Sequence, residues 1–143
     1  MLSRGYKGKP FYCFRVGNIQ AVDKNGVFTS NSLCYYDTYV DHYIGVSNED
    51  IRDVRYYSVA CGFDNTPRYG ERATIFDVGF SLKSWYNLCK STVEKSVQKG
   101  NEYIFVFAWN EWAESAYLEP DKKYGYATIN TLSKAVCGLP FEE

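Results

Sequence analysis

Ile104-Phe-Val-Phe-Ala-Trp-Asn-Glu-Trp-Ala-Glu-Ser-Ala-Tyr-Leu-Glu-Pro120 runs an apolar segment straight into a cluster of acids, an amide and two indoles. Ile104 to Ala108 is rich in the β-branched and aromatic residues of a strand buried on both faces. The segment stops at Trp109-Asn110-Glu111-Trp112-Ala113-Glu114. Acids just past a strand's end lie where α/β enzymes carry out their chemistry, at the carboxyl ends of the strands. If the chain turns helical after Ala108, Glu111 and Glu114 share one face, with Cβ atoms roughly 5–6 Å apart. Retaining glycosidases hold their carboxyl pair about 5–5.5 Å apart, and inverting enzymes hold it wider. Two such groups beside tryptophans can divide the work, one as acid and one as base. Trp109 and Trp112 offer flat apolar faces of the kind that stack on a sugar ring. The bland alternative is a solvated acidic turn with its tryptophans in the core.

Upstream, Tyr56 to Cys61 reads as a second strand, ending at Gly62-Phe-Asp-Asn-Thr-Pro-Arg68. Pro67 cannot continue a ladder and Asp-Asn favours a turn, so Asp64 and Asn65 also stand at a strand's carboxyl end. They serve either the site or an Asx-turn that holds the loop. Arg68 pairs with Asp64, binds a substrate carboxylate or phosphate, or lies in solvent.

Ala108-Trp-Asn-Glu-Trp-Ala-Glu114, with Tyr117-Leu-Glu-Pro-Asp121 and Tyr124-Gly-Tyr126 behind it, resembles the closing motif of WbsX-type proteins. These are described as glycosyltransferases of surface-polysaccharide clusters, and also as proteins with a glycoside hydrolase family 99-like domain. Gly62 to Arg68 is similar to that family's second signature, an aromatic followed by Asp-Asn-Thr-x-Arg. The resemblance covers roughly Tyr56 to Val136. It implies a (β/α)₈ barrel in which Glu111 acts on the substrate's 2-hydroxyl and Glu114 is the general acid/base. Configuration is then retained through an anhydro-sugar. The candidate substrate-binding residues around this pair are Asp64, Asn65, Arg68, Trp109, Asn110, Trp112, Tyr117 and Glu119. Ser115 replaces a usual glycine, Phe63 a common tryptophan and Tyr117 a frequent histidine, departures that bear on substrate preference.

A (β/α)₈ barrel typically takes about 250 residues, and the chain has 143. The fold class expected is therefore α/β, as the C-terminal part of a barrel. Residues 1–143 form one partial domain, with 1–55 unassigned. The expected partners are an oligosaccharide or polysaccharide substrate and either the remaining barrel strands or a second copy. Hydrolysis and transfer use the same two carboxylates. A nucleotide-sugar transferase would want a glycine-rich phosphate cradle, and the sequence has none. A non-catalytic sugar-binding remnant would keep the aromatic platforms without needing the acid/base pair.

Net charge is −1 with no basic block, which disfavours nucleic acid as a partner. Fourteen tyrosines, nine phenylalanines and three tryptophans supply stacking faces and hydroxyls that suit sugars, although most belong in a core. Five scattered cysteines contain no Cys-x-x-Cys pair, so neither zinc nor a redox motif is indicated, and a reduced, cytoplasmic chain is expected. Asp37, Asp41 and His42 lack metal-site spacing, and no metal or cofactor is expected. No apolar run is long enough to span a membrane.

Elsewhere, Phe11 to Val16 reads as a strand and Asp23-Lys-Asn-Gly26 as a hairpin turn leading into Val27-Phe-Thr29. Ser47 to Arg55 reads as a loop or short helix. Ser81 to Lys99 is the clearest helix, capped by Ser81 and closed by Gly100. Its expected core stripe is Leu82, Trp85, Cys89, Val93 and Val97, with Lys83, Lys90, Glu94, Lys95 and Lys99 on the solvated face. A last helix spans about Tyr126 to Val136. Strands 56–61 and 103–108 are expected to be parallel neighbours under helix 81–99.

Overall fold

A computed structural model describes residues 20–22, 28–37, 39–41 and 56–142. The expected strand at Phe11–Val16, the Asp23–Gly26 turn, His42 and the segment 47–55 lie outside these. Strand β1 (Gln20–Val22) pairs antiparallel with β2 (Phe28–Tyr35), the arrangement a hairpin produces. The tyrosine-rich stretch after Ser32 begins as strand and becomes helical at Tyr36. β2 lies parallel to β4 (Thr74–Val78), with Ser32 opposite Thr74 and Leu33 opposite Ile75.

The pair that frames the motifs is β3 (Tyr57–Ala60) and β5 (Ile104–Phe107). They run parallel, with Tyr57 opposite Ile104 and Ala60 opposite Phe107. Two parallel strands need a long crossover, and here it contains both β4 and helix α2 (Leu82–Gln98). The sequence reading omitted β4, although Ala73-Thr-Ile-Phe-Asp-Val78 is rich in β-branched residues and is bounded by Gly79. A short helix α1 (Thr66–Tyr69) and a 3₁₀ turn (Gly70–Arg72) fill the link between β3 and β4.

Both ends of α2 follow from its sequence. Ser81 is extended, and its Oγ accepts the Ser84 amide at 3.1 Å, satisfying one orphan donor of the first turn. At the other end Gly100 takes φ +72, its amide reaches the Val97 carbonyl and the Asn101 amide reaches Ser96. These two bonds are the Schellman pattern that a left-handed residue permits.

The core stripe of α2 differs in part from expectation. Trp85, Leu88, Cys89, Thr92 and Ser96 are buried, whereas Val97 is 69% exposed. At 3.6 residues per turn Val97 lies about 120° around the axis from Trp85, outside the stripe, while Ser96 falls almost in line with it. The two buried hydroxyls are satisfied: Thr92 donates to the Leu88 carbonyl at 2.8 Å and Ser96 to Tyr103 at 3.3 Å. Lys95 is the half-buried member of the charged face, and burial lowers its ammonium pKa. Trp85 is fully buried and donates through Nε1 to the Thr128 carbonyl of α3 (Ala127–Val136) at 3.0 Å. Val59 joins Trp85, Leu88 and Cys89 in the core, and Val106 packs against it.

On the opposite face the residues of β5 are exposed, while Ala60 of β3 beside Phe107 is buried. Phe105 is 58% exposed, and Tyr56, Tyr103 and Phe107 accompany it. The Tyr56 and Phe105 rings meet edge-on at 5.9 Å. The expectation of a strand buried on both faces is therefore corrected: α2 covers one face, and the alternate residues of β5 remain uncovered.

Leu88→Ala should cost about 2–5 kcal/mol of stability, the range for emptying a packed site. Val97→Ala should stay within about 0.5 kcal/mol, as for an exposed position. Urea unfolding of the two variants checks this ranking, and equal losses would contradict the assigned face of α2.

Candidate active site

Because β3 and β5 are parallel, the two segments that follow them emerge at the same end. The first begins where β3 gives way to Cys61-Gly62 and an isolated antiparallel bridge joins Asp64 to Ile75. Phe76 donates its amide to the Phe63 carbonyl at 2.9 Å. Asp64 Oδ1 accepts the Thr66 amide at 2.8 Å, an Asx-turn, and Asn65 Oδ1 accepts the Thr74 amide at 2.7 Å. Both side chains therefore hold the loop. Pro67 sits in the first turn of α1, where its missing N–H costs nothing.

The second segment differs from the helical turn expected after Ala108. The Phe107–Ala108 peptide is cis. Strand β6 (Asn110–Glu111) follows and pairs antiparallel with β7 (Ala116–Tyr117), Glu111 opposite Ala116. A single 3₁₀ turn, Trp112–Glu114, joins them. Glu111 thus ends a strand and Glu114 ends a turn, so the two carboxylates do not share a helical face. The residues Ala116 and Leu118 are buried and draw this segment inward, which overrides the helical option. The Trp109 carbonyl accepts the amides of Leu118 and Glu119, at 2.9 and 3.1 Å, and closes the excursion. Ser115 adopts φ 51, ψ 21, a left-handed conformation that a glycine takes without strain.

Glu114 joins the two segments. Its carbonyl accepts the Asp64 amide at 2.8 Å, and its Oε1 lies 2.9 Å from Arg68 Nη1. The Glu114 side chain is 14% exposed and that of Arg68 is 55% exposed. Arg68 therefore pairs with Glu114, not with Asp64, whose carboxylate is engaged by the loop. A further bond runs from Cys61 Sγ to the Tyr117 carbonyl at 3.0 Å. Burial pushes the Cys61 thiol up to about 11, so it is a protonated donor at neutral pH.

The aromatic residues are partly committed. Trp112 stacks on Tyr117, with centroids 3.8 Å apart and planes 17° apart, and its Nε1 donates to Glu119 Oε2 at 2.6 Å. One indole face and the indole N–H are thus occupied within the protein, and the ring is still about half exposed. Burial, then the neighbouring Asp121 carboxylate, raises the Tyr117 phenol above its ordinary value. Asp121 accepts the amides of Tyr124 and Lys123, at 2.5 and 2.7 Å, and the Tyr124 bond is the main cause of its lowered pKa. Trp109, Asn110 and Glu111 are exposed at this end. Sequence reasoning missed the role of Asp121 as a turn cap. Its signal was an Asp four residues before Gly125, and that turn closes with the Gly125 amide on the Asp121 carbonyl at 2.9 Å.

Among the described residues no group of three His, Cys, Asp or Glu is placed to hold a metal. Asp37 instead bonds Ser84 Oγ. Cys61, Cys89 and Cys137 are free thiols. Among the described residues no helix is long and apolar enough to cross a membrane.

Two motifs thus bring carboxylates, an arginine and indoles together at the carboxyl end of a parallel strand pair. The sequence profile of the family described as Glycosyltransferase WbsX matches residues 11–132, and the chain belongs to that family. It is 33% identical over 94 residues to the uncharacterized protein WxcX of two strains of Xanthomonas campestris pv. campestris. That match covers 63% of this chain and 13% of the relatives' length. No solved structure matches.

The left-handed Ser115 gives this geometry a direct test. A non-glycine residue there carries about 1–2 kcal/mol of strain, partly offset by the roughly 0.5–1 kcal/mol of extra entropy glycine loses on folding. Ser115→Gly should be neutral or stabilising by up to about 1 kcal/mol, and Ser115→Val should destabilise by about 1–2 kcal/mol. Chemical denaturation compares the pair, and a Val variant as stable as Gly would exclude the left-handed turn.

Proposed function

We propose that the chain is part of a (β/α)₈-type barrel that cleaves or transfers a glycosyl unit, with Glu111 and Glu114 as its reacting carboxylates. The observation that carries this reading is the pair of bonds from Glu114 to the Asp64–Arg68 loop, which makes one site of two family motifs. In this reading Glu111 takes the proton of the substrate's 2-hydroxyl as that oxygen attacks the anomeric carbon. Glu114 gives its proton to the leaving-group oxygen, and an anhydro-sugar forms. Glu114 then removes a proton from the incoming acceptor, the anhydro C1–O2 bond breaks, and Glu111 returns its proton to the 2-oxygen, restoring the original configuration. Water as acceptor gives hydrolysis, and a sugar hydroxyl gives transfer.

Membership in a family described as glycosyltransferases favours transfer within surface-polysaccharide synthesis as the biological setting. Trp109 and the outer face of Trp112 serve as sugar platforms, with Asn110, Tyr117, Glu119, Asp64 and Asn65 shaping the surroundings. The exposed aromatic face of β5 is then the side turned toward the barrel interior. Further strands of a longer chain, or a second copy, would cover it.

The test uses the intact protein, with the remaining barrel strands present, on an oligosaccharide and on an activated aryl glycoside. Glu114→Gln should lose on the order of 10²–10⁴-fold in turnover on the oligosaccharide, the usual range for general acid/base catalysis. A good leaving group should restore part of that loss. Glu111→Gln should be damaged on both substrates, because its task is the attacking hydroxyl. If both variants keep full activity the assignment fails. A protein that binds oligosaccharide equally well in both variants and turns none over is a non-catalytic binder.

A further inference from the structure

We propose that Arg68 is a positioning residue for Glu114. Its guanidinium fixes the direction of the Glu114 carboxyl group toward the leaving-group oxygen. The inference rests on the reading above, which makes Glu114 the proton donor to that oxygen.

The geometry is specific to this role. The 2.9 Å separation of Arg68 Nη1 and Glu114 Oε1 is a hydrogen-bonding distance. The two partners are also tied through their backbones. Arg68 donates its amide to the Asn65 carbonyl at 3.0 Å, and Tyr69 donates to the same oxygen at 3.1 Å. Asn65 is held in turn by its side-chain bond from the Thr74 amide. The neighbouring Asp64 amide is bonded to the Glu114 carbonyl itself. The arginine and the glutamate therefore belong to one hydrogen-bonded unit, and the carboxylate is aimed by a support that cannot drift independently. Such a pair adds little to stability, because Arg68 is largely in water. Its effect belongs in catalysis, where a displacement of about 1 Å can cost on the order of 10²-fold.

The experiment measures kcat and KM of the intact protein, with the remaining barrel strands present, for Arg68→Gln and Arg68→Lys, each alone and combined with Glu114→Gln. Both an unactivated oligosaccharide and an activated aryl glycoside serve as substrates. Arg68→Gln should lower kcat about 10- to 10²-fold on the oligosaccharide, with KM nearly unchanged. The loss should shrink on the activated substrate, whose leaving group needs little help from the Glu114 proton. Lys should recover part of the rate. In the Glu114→Gln background the arginine substitution should cost almost nothing further, since the group it positions has gone. A rise in KM with kcat intact, or the same loss with and without Glu114, would overturn the proposal and return Arg68 to substrate binding. Full activity in Glu114→Gln alone would overturn the functional reading and this proposal with it. Should Arg68→Gln fail to fold, the charge-retaining Lys variant still decides: a KM effect alone contradicts a positioning role.

Discussion

The Asp64 amide donating to the Glu114 carbonyl at 2.8 Å, with Arg68 on the same residue's carboxylate, is the constraint on which the site depends. Without it, the turn after β3 and the excursion after β5 would be two separate loops at the same end of a sheet. A net hydrogen bond is worth about 0.5–1.5 kcal/mol, and an ion pair with one exposed partner about 1 kcal/mol or less. The clasp is therefore too weak to fold the protein, but sufficient to choose among orientations of loops that are already close. Its effect is to set where the Glu114 carboxylate points.

The scaffold that brings the loops close rests on burial. Trp85 is fully enclosed, and its one polar atom is satisfied by Thr128 of α3. With Leu88 and Cys89 it anchors α2 against Val59 and Val106, and so fixes the register of β3 against β5. Burial of the Cys89 thiol raises its pKa and keeps it a neutral core group. Parallel pairing then delivers both motifs to one end. A solvent-facing aromatic row on the other side of β5 gives this frame one covered face and one uncovered one.

Local chemistry made much of this legible in the sequence. Ser81 and Gly100 marked the limits of α2, because a cap and a left-handed residue leave short-range signatures. The apolar run 104–107 and the parallel pairing with 57–60 also followed from pattern and connection length. Hydrogen bonds between distant segments left no such trace. Arg68 could not be matched to Glu114 from spacing, and the turn after Ala108 was set by the inward pull of Ala116 and Leu118, not by helix propensity. The choice of Ser96 over Val97 for the core shows the same limit. Hydrophobicity favoured the valine, while helical phase favoured the serine, which finds a carbonyl to bond. Asp64 and Asn65 proved to support the loop, and support of this kind is compatible with a place beside the substrate.

The most direct measurement is a crystal structure of the intact protein with a bound oligosaccharide. The expected result is a sugar ring lying against Trp109 or Trp112, with oxygens of both Glu111 and Glu114 within about 3 Å of hydroxyl or glycosidic oxygens of the ligand. Arg68 should remain on Glu114. A ligand bound away from the Trp109–Glu114 segment, or a bound sugar that neither carboxylate can reach, would contradict a catalytic site built on this clasp.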